Sequence, residues 1–178
     1  HGGFSGLSQK IFKAEEIENG VTFSAFSPEG EGGFSGNATF NIAYKLLNNS
    51  LLIEYDCVSD KDTPISLTNH SYFNLSGEEN ICNHLLVVNA DYITPTDDKL
   101  IPTGEFMSVS GTPFDFNKEQ KVGLYVDYSN VHIQNAGGYD HNYVLKNNGE
   151  FKKVASLSAI STGICMSVYS DAPGMQVY

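Results

Sequence analysis

The sequence predicts an all-β fold, specifically a large antiparallel β-sandwich. Short segments alternate apolar and polar residues, and turn signals rich in Gly, Asn, Asp and Pro separate them about every ten residues. No segment sustains the 3.6-residue period of an amphipathic helix. Short strands in this arrangement are typical of sandwiches and barrels.

The chain length fits one domain, and we expect residues 1–178 to form a single, incomplete β-sandwich domain. The chain starts at His1, which is not a methionine, and it stops at Tyr178 inside a predicted strand that begins at Gly174. These ends indicate a fragment truncated at both ends, which would be part of a longer protein.

The first half of the chain predicts a glycine-dense loop over residues 1–6 and then three strands. Residues 21–27 alternate as a half-buried strand with Val21, Phe23 and Ala25 facing inward. The runs 40–46 and 50–58 follow, and Asn48-Asn49 lies between them. Because Asn tolerates positive φ, these two runs are predicted to pair as a β-hairpin, with Phe40, Ile42, Tyr44 and Leu46 on one face.

The second half predicts further strands, separated by turns such as the Asn-Gly signal at residues 146–150. Residues 123–128 fit either a strand or a short helix. The predicted strands, in chain order, are 64–75, 85–93 (closed by Pro95), a short strand at the end of 101–106, 139–145, 154–161 paired with 164–170 across Thr162-Gly163, and 174–178.

The charge balance limits the classes of ligand. The net charge is −11, which argues against nucleic acids and anionic membrane surfaces. Arginine is absent, so these residues offer no bidentate clamp for phosphate. No apolar stretch approaches the roughly 20 residues of a membrane helix. The composition is compatible with a neutral small-molecule ligand.

The three cysteines, Cys57, Cys82 and Cys165, are widely spaced and form no CxxC motif. Neither a zinc site nor a dense disulfide framework is indicated. Reduced thiols in a cytoplasmic protein are the simplest interpretation.

Three histidines lie in glycine- or asparagine-rich stretches at the edges of predicted strands: His1 in HGG, His70 in TNHSYFN, and His141 beside Asp140 in GGYDHNYVL. Histidine exchanges protons near neutral pH. His84 and His132 lack such surroundings and are interpreted as surface or structural residues. No HxH or HxxxH spacing supports a metal site, and no GxSxG elbow supports Ser71 as a nucleophile.

The remaining chemistry is acid–base catalysis on a polyhydroxylated ligand. His70 would be presented at the end of the 64–75 strand, with Asn69 beside it as a ligand contact. Tyr72 and Phe73 would pack against the apolar face of a sugar ring. The simpler alternative is that His70 is a strand histidine satisfied by a neighbouring amide.

Six ordered motifs extend over almost all of the 178 residues. They are HGGFSG, TNHSYFNLSG, the stretch from DYITPT to LIPTGE, GTPFDF, GGYDHNYVL and APGMQVY. In this order they resemble the aldose 1-epimerases (galactose mutarotases). The resemblance implies a galactose mutarotase-like sandwich and an isomerase of carbohydrate metabolism that interconverts the α and β anomers of a free aldohexose, galactose or glucose.

The resemblance also implies residue roles. His70 corresponds to the general acid that protonates the ring oxygen, His1 to a second active-site histidine that hydrogen-bonds the sugar, and Asp140 to a carboxylate that binds a sugar hydroxyl. The general base would be a glutamate beyond residue 178, and an Asn-Arg pair would precede the HGG motif. Neither a cofactor nor a metal is implied.

Many family members carry Gln or Glu before the Pro-Gly near the end, where this chain has Ala172, so Gln176 and Asp171 are candidates to compensate. His1, His70 and Asp140 are expected to converge on one open cleft. Two alternatives remain. A hexose-6-phosphate 1-epimerase would need basic residues that are few here, and a non-catalytic sugar-binding sandwich would lack the base. The sequence indicates no oligomeric state.

Overall fold

The computed structural model describes residues 6–126 and 129–178. The chain divides into two compact units, with the boundary between Ser71 and Tyr72. The predicted single domain over residues 1–178 stays a prediction.

The first unit contains a four-stranded antiparallel sheet in sequence order. Short 3-10 turns at Leu7–Gln9 and Glu31–Gly33 flank its early strands. The strands are β1 (Lys13–Ile17), β2 (Gly20–Ser27), β3 (Ala38–Leu47) and β4 (Ser50–Ser59).

The predicted hairpin between β3 and β4 is confirmed. The two strands pair without a register shift from Leu47 opposite Ser50 to Ala38 opposite Ser59. Asn48 adopts a φ of 54°, the left-handed conformation that its side chain tolerates. Because β3 is unbroken, its alternate residues from Phe40 to Leu46 share one face as predicted.

The second unit contains two four-stranded antiparallel sheets, in the orders β11-β10-β5-β8 and β12-β9-β6-β7. Its helical segments are α1 (Val131–Ala136) and a 3-10 turn at Val122–Tyr125. The strands are β5 (Leu85–Val88), β6 (Ala90–Thr94), β7 (Met107–Ser108), β8 (Gln120–Lys121), β9 (His141–Leu145), β10 (Lys152–Ser158), β11 (Cys165–Ser170) and β12 (Gly174–Val177).

Both sheets of the second unit contribute to one hydrophobic core. Val88 and Ala155 come from the first sheet, Ile93 and Tyr143 come from the second, and all four are buried in the same cluster. Phe114, in the irregular segment between β7 and β8, fills the same core and has no exposed surface. Two sheets around a shared core confirm the predicted antiparallel sandwich.

The prediction of one strand over residues 85–93 is wrong, because β5 and β6 belong to different sheets. The break occurs at Asn89, whose N–H donates to the Val154 carbonyl at 2.8 Å. The Asn89 carbonyl accepts from the Lys146 N–H at 3.2 Å. The backbone of Asn89 therefore bonds to strand β10 of one sheet and to Lys146, directly after strand β9 of the other sheet, and the chain crosses between the two sheets at this residue.

The prediction of a strand over residues 64–75 is also wrong, since no strand is assigned to residues 62–84. Asparagine side chains satisfy backbone groups locally instead. Asn69 Oδ1 accepts from the Ser71 N–H at 3.0 Å, and Asn74 Oδ1 accepts from the N–H groups of Ser76 and Gly77, both at 3.1 Å. Such side-chain bonds offer the backbone an alternative to a sheet ladder.

The sequence pattern did not predict helix α1, which at six residues is too short to show a 3.6-residue period. Its ends do carry helix signals. The Asn130 side chain accepts from the His132 N–H at 3.0 Å, and Gly137 ends the helix with a φ of 71°. In the ambiguous segment, residues 122–125 form a 3-10 turn, and residues 127–128 lie outside the described residues.

None of the helices in the described part of the chain has the length and apolar character needed to cross a membrane.

Candidate functional site

The predicted contact residue Asn69 links the segment around His70 to the first sheet. Its Nδ2 donates to the Tyr44 hydroxyl on β3 at 3.3 Å, while its Oδ1 accepts a hydrogen bond from the Ser71 N–H. The next residue, His70, is exposed. The predicted general acid therefore lies on an irregular segment held by the side chain of Asn69, and not at the end of a strand.

Aromatic side chains follow His70, as the sugar-stacking prediction requires. Tyr72 is 68% exposed and Phe73 48% exposed, so both rings offer apolar surface to a ligand. The Tyr72 ring lies 5.6 Å from the ring of Tyr178, measured between centroids. The stacking role stays a prediction.

A buried histidine anchors the chain a few residues further on. Nε2 of His84 accepts from the Leu75 N–H at 2.9 Å, and the Leu75 carbonyl accepts from the Thr162 hydroxyl at 2.8 Å. His84 is only 1% exposed. It is therefore a structural residue, and of the two roles predicted for it the surface role is wrong.

Asp140 directly precedes β9 and is half-buried. Its Oδ1 accepts from Gln176 Nε2 at 2.8 Å. The contact is possible because β12 pairs with β9, with Val177 opposite His141 and Gln176 opposite Asn142. Of the two residues considered as replacements at the Ala172 position, Gln176 is the one that contacts the predicted sugar-binding carboxylate.

His141 has no exposed surface, although the sequence grouped it with Asp140 as a candidate site. Its ring packs against Phe114 with 4.5 Å between centroids. Burial, and to a smaller extent the nearby His132, lower the pKa of His141 to about 4, while Asp140 opposes the shift. His141 is therefore neutral at physiological pH and is not a solvent-facing acid.

His132 on α1 is the nearest histidine to His141, with perpendicular rings 6.4 Å apart. His132 Nδ1 and His141 Nε2 are both buried, and neither has a hydrogen-bond partner among the described residues. The sequence did not predict this pair, because His132 and His141 lie on different elements, an α-helix and a strand, whose packing no spacing rule describes.

Two buried tyrosines fix the Phe114 segment against the region around β9. The Tyr139 hydroxyl donates to the Pro113 carbonyl at 2.9 Å, and the Tyr143 hydroxyl donates to the Phe114 carbonyl at 3.1 Å. Burial raises the pKa of Tyr139 to about 12 and raises the pKa of Tyr143 further. Both hydroxyls thus remain protonated donors, and they tie the backbone of Pro113 and Phe114 to Tyr139, which directly precedes Asp140, and to Tyr143 on β9.

The structure brings Asp140 and Gln176 together, and it ties Asn69 to the exposed His70. His1 lies outside the described residues. Asn69 and His70 belong to the first compact unit and Asp140 belongs to the second. The convergence of His1, His70 and Asp140 on one cleft stays a prediction.

Within residues 6–126 and 129–178, no group of three or more His, Cys, Asp or Glu side chains is arranged to hold a metal ion.

The comparisons with known proteins agree on one family. The family model for aldose 1-epimerase matches residues 1–178. The galactose mutarotase of Mus musculus is 38% identical over 180 residues, which cover all of this chain and 51% of the mouse protein. The aldose 1-epimerase of Escherichia coli K12 is 34% identical over 182 residues, which cover all of this chain and 52% of the E. coli protein.

Solved structures give the same result. The GalM/aldose epimerase homologue from C. elegans superposes with a TM-score of 0.87 at 27% identity, over 99% of this chain and 53% of that one. Galactose 1-epimerase from Lactobacillus acidophilus NCFM superposes with a TM-score of 0.74 at 32% identity. The match covers 83% of this chain and 44% of the Lactobacillus chain. The chain thus spans about half the length of the curated relatives it matches.

Proposed function

The chain belongs to the aldose 1-epimerase family, and on that premise we propose that the full protein is an aldose 1-epimerase. It interconverts the α and β anomers of a free aldohexose, galactose or glucose, by opening and closing the ring. The observation that carries this proposal is the hydrogen bond from Gln176 to Asp140. It holds a carboxylate of the GGYDHNYVL motif in a fixed orientation at the start of a strand.

Asp140 has the geometry of a hydroxyl-binding residue. Gln176 occupies its Oδ1, and no described residue donates to its Oδ2. An ionised carboxylate is a strong acceptor for a hydroxyl, and a held side chain loses less entropy on binding. We assign Oδ2 to a sugar hydroxyl, and Asn69 to a second polar contact with the ligand.

The reaction moves protons at two positions of the sugar. One proton is added to the ring oxygen and one is removed from the C1 hydroxyl, after which the ring recloses on the other face. His70 is exposed and can deliver the first proton as the general acid. A glutamate beyond residue 178 accepts the second, and His1 hydrogen-bonds the sugar. The chemistry uses side chains alone, with no cofactor.

The location we propose is the cytoplasm. Cys57, Cys82 and Cys165 are free thiols in the structure. Free thiols are typical of a reducing compartment, which supports this location.

The test is polarimetry of freshly dissolved α-D-galactose and α-D-glucose with the full-length protein, subtracting the uncatalysed rate. We expect the approach to anomeric equilibrium to accelerate in proportion to enzyme concentration. Glucose 6-phosphate is the matched comparison, and it should react more slowly because this chain offers no arginine for the phosphate. Sugar binding without acceleration would instead identify a non-catalytic sugar-binding protein and reject the proposal.

A further inference from the structure

We propose that His141 is a positioning residue that fixes the backbone of Asp140, so that the Asp140 carboxylate meets the sugar in one orientation. This inference rests on the function proposed above. It assigns a role to a buried histidine that the acid–base chemistry does not use.

Asp140 is held from two sides. Its backbone N–H donates to His141 Nδ1 at 3.0 Å, and its Oδ1 accepts from Gln176 at 2.8 Å. The first contact fixes the main chain and the second fixes the carboxylate. A side chain anchored at both points keeps its direction when the ligand leaves, which is the preorganisation that a binding site needs.

The chemical state of His141 suits this role. Because Nδ1 accepts a hydrogen bond, the ring proton lies on Nε2. The ring is held in place by Phe114, whose carbonyl is bonded by the Tyr143 hydroxyl. Complete burial keeps the ring neutral, so the acceptor persists at physiological pH.

The other ring nitrogen shows that packing alone does not explain a histidine at this position. Nε2 is buried and has no hydrogen-bond partner among residues 6–126 and 129–178. A buried polar atom without a partner lowers stability, and a phenylalanine would fill a similar volume without that penalty. What histidine provides and phenylalanine does not is the acceptor for the Asp140 N–H.

The experiment separates this role from folding with three substitutions in the full-length protein. Asn at position 141 places its Oδ1 near the site of Nδ1, Gln places its amide near the site of Nε2, and Phe keeps ring volume without an acceptor. We expect His141→Phe and His141→Gln to raise KM about tenfold with kcat little changed, since a ground-state contact is weakened. His141→Asn should stay within about threefold of wild type.

Thermal stability should follow a different order from KM. His141→Asn leaves a cavity and should melt below His141→Phe, although it binds sugar better. His132→Gln is the control for disturbing the neighbouring half-buried histidine, and it should leave KM unchanged. The inference is overturned if His141→Phe and His141→Gln both keep the wild-type KM, or if KM rises equally in all three variants.

A second measurement does not depend on activity. Hydrogen exchange of the Asp140 amide should be slow in wild type and His141→Asn, and about tenfold faster in His141→Gln and His141→Phe. If His141→Phe does not fold, His141→Gln provides the same comparison. Equal exchange rates in all folded variants would also reject the inference. An inactive wild type with the expected exchange pattern would reject only the proposed function.

Discussion

Residues 62–84, which carry Asn69 and His70, and strand β9, which follows Asp140, are stabilised by different kinds of contact. In residues 62–84, side chains bond the backbone, with Asn69, Asn74 and His84 each accepting nearby N–H groups. Strand β9 instead pairs with β6 on one side and β12 on the other. Its alternate residues are fully buried.

The difference shows that a run of alternating residues becomes a strand only where neighbouring backbone is available to pair with it. The two proposed functions of the site, proton donation and sugar binding, also lie in these two different kinds of region. The proposed proton donor, His70, lies on an exposed segment held by a few local hydrogen bonds, where its surroundings can adjust. The proposed binding carboxylate, Asp140, directly precedes a strand packed in the core, which fixes its position.

The largest effect is expected at His70. His70→Asn in the full-length protein should reduce the rate of anomerisation roughly 10² to 10⁴-fold, because asparagine keeps the polar contact but delivers no proton. The side chain is exposed, so the melting temperature should hardly change. Polarimetry checks the rate. A loss of about threefold or less, about 0.65 kcal/mol of barrier, would indicate a binding or structural residue.

Two phenylalanines test the contrast in packing. Phe114 has no exposed surface and contacts the rings of Tyr139 and His141, so Phe114→Ala should cost about 3–5 kcal/mol of unfolding free energy. Phe73 is 48% exposed, and Phe73→Ala should cost less than about 1 kcal/mol. Chemical denaturation measures both. Equal losses would mean that residues 62–84 pack as tightly as the core.

The buried His141 predicts an effect of pH on stability. The unfolded histidine takes up a proton as the pH falls through 6.5, whereas the folded one stays neutral until about pH 4. His141 therefore contributes stability that is present above pH 6.5 and is lost as the pH falls towards 4. The loss amounts to about 2 kcal/mol between pH 8 and pH 5.

Denaturation of wild type and His141→Phe at the two pH values isolates this contribution. The carboxylates whose pKa values are lowered in the fold, such as those of Glu31 and Asp60, are present in both proteins and cancel in the difference. An identical pH dependence in the two proteins would show that His141 is protonated in the folded state well above pH 4.

A small effect is expected at Asn74. Its Oδ1 accepts from Ser76 and Gly77, and its Nδ2 donates to the Glu78 carbonyl at 2.7 Å. Asn74→Ala removes these bonds at an exposed site, so it should cost about 1 kcal/mol. Hydrogen exchange should quicken at Ser76 and Gly77 and stay unchanged within β9. Faster exchange in β9 as well would mean that the two regions unfold as one unit.

Local chemistry predicted those parts of the fold where neighbours in sequence are neighbours in space. The β3–β4 hairpin follows from the alternation of its strands and from the tolerance of Asn48 for positive φ. The pairing partners of β9, the strand that follows Asp140, were harder to predict. Alternation places β9, but it does not show that β12 pairs with it and brings Gln176 to Asp140.

Long-range pairing explains the failures. The apolar run from Leu85 to Ile93 has the same pattern whether it forms one strand or two, and only contacts with β9 and β10 divide it at Asn89. The burial of His141 likewise depends on Phe114 and His132, which lie on other elements. Asn130 and Gly137 did signal helix α1, but a helix this short shows no period.

The passage of the chain through Asn89 also has a consequence for synthesis. Strand β5 pairs with β10 through Val88 and Ala155, so its partner is made several dozen residues later. The strands β1 to β4 pair in sequence order and can form as they leave the ribosome. We expect the apolar residues of β5 and β6 to stay exposed during translation until β9 and β10 are made, for longer than those of the first sheet.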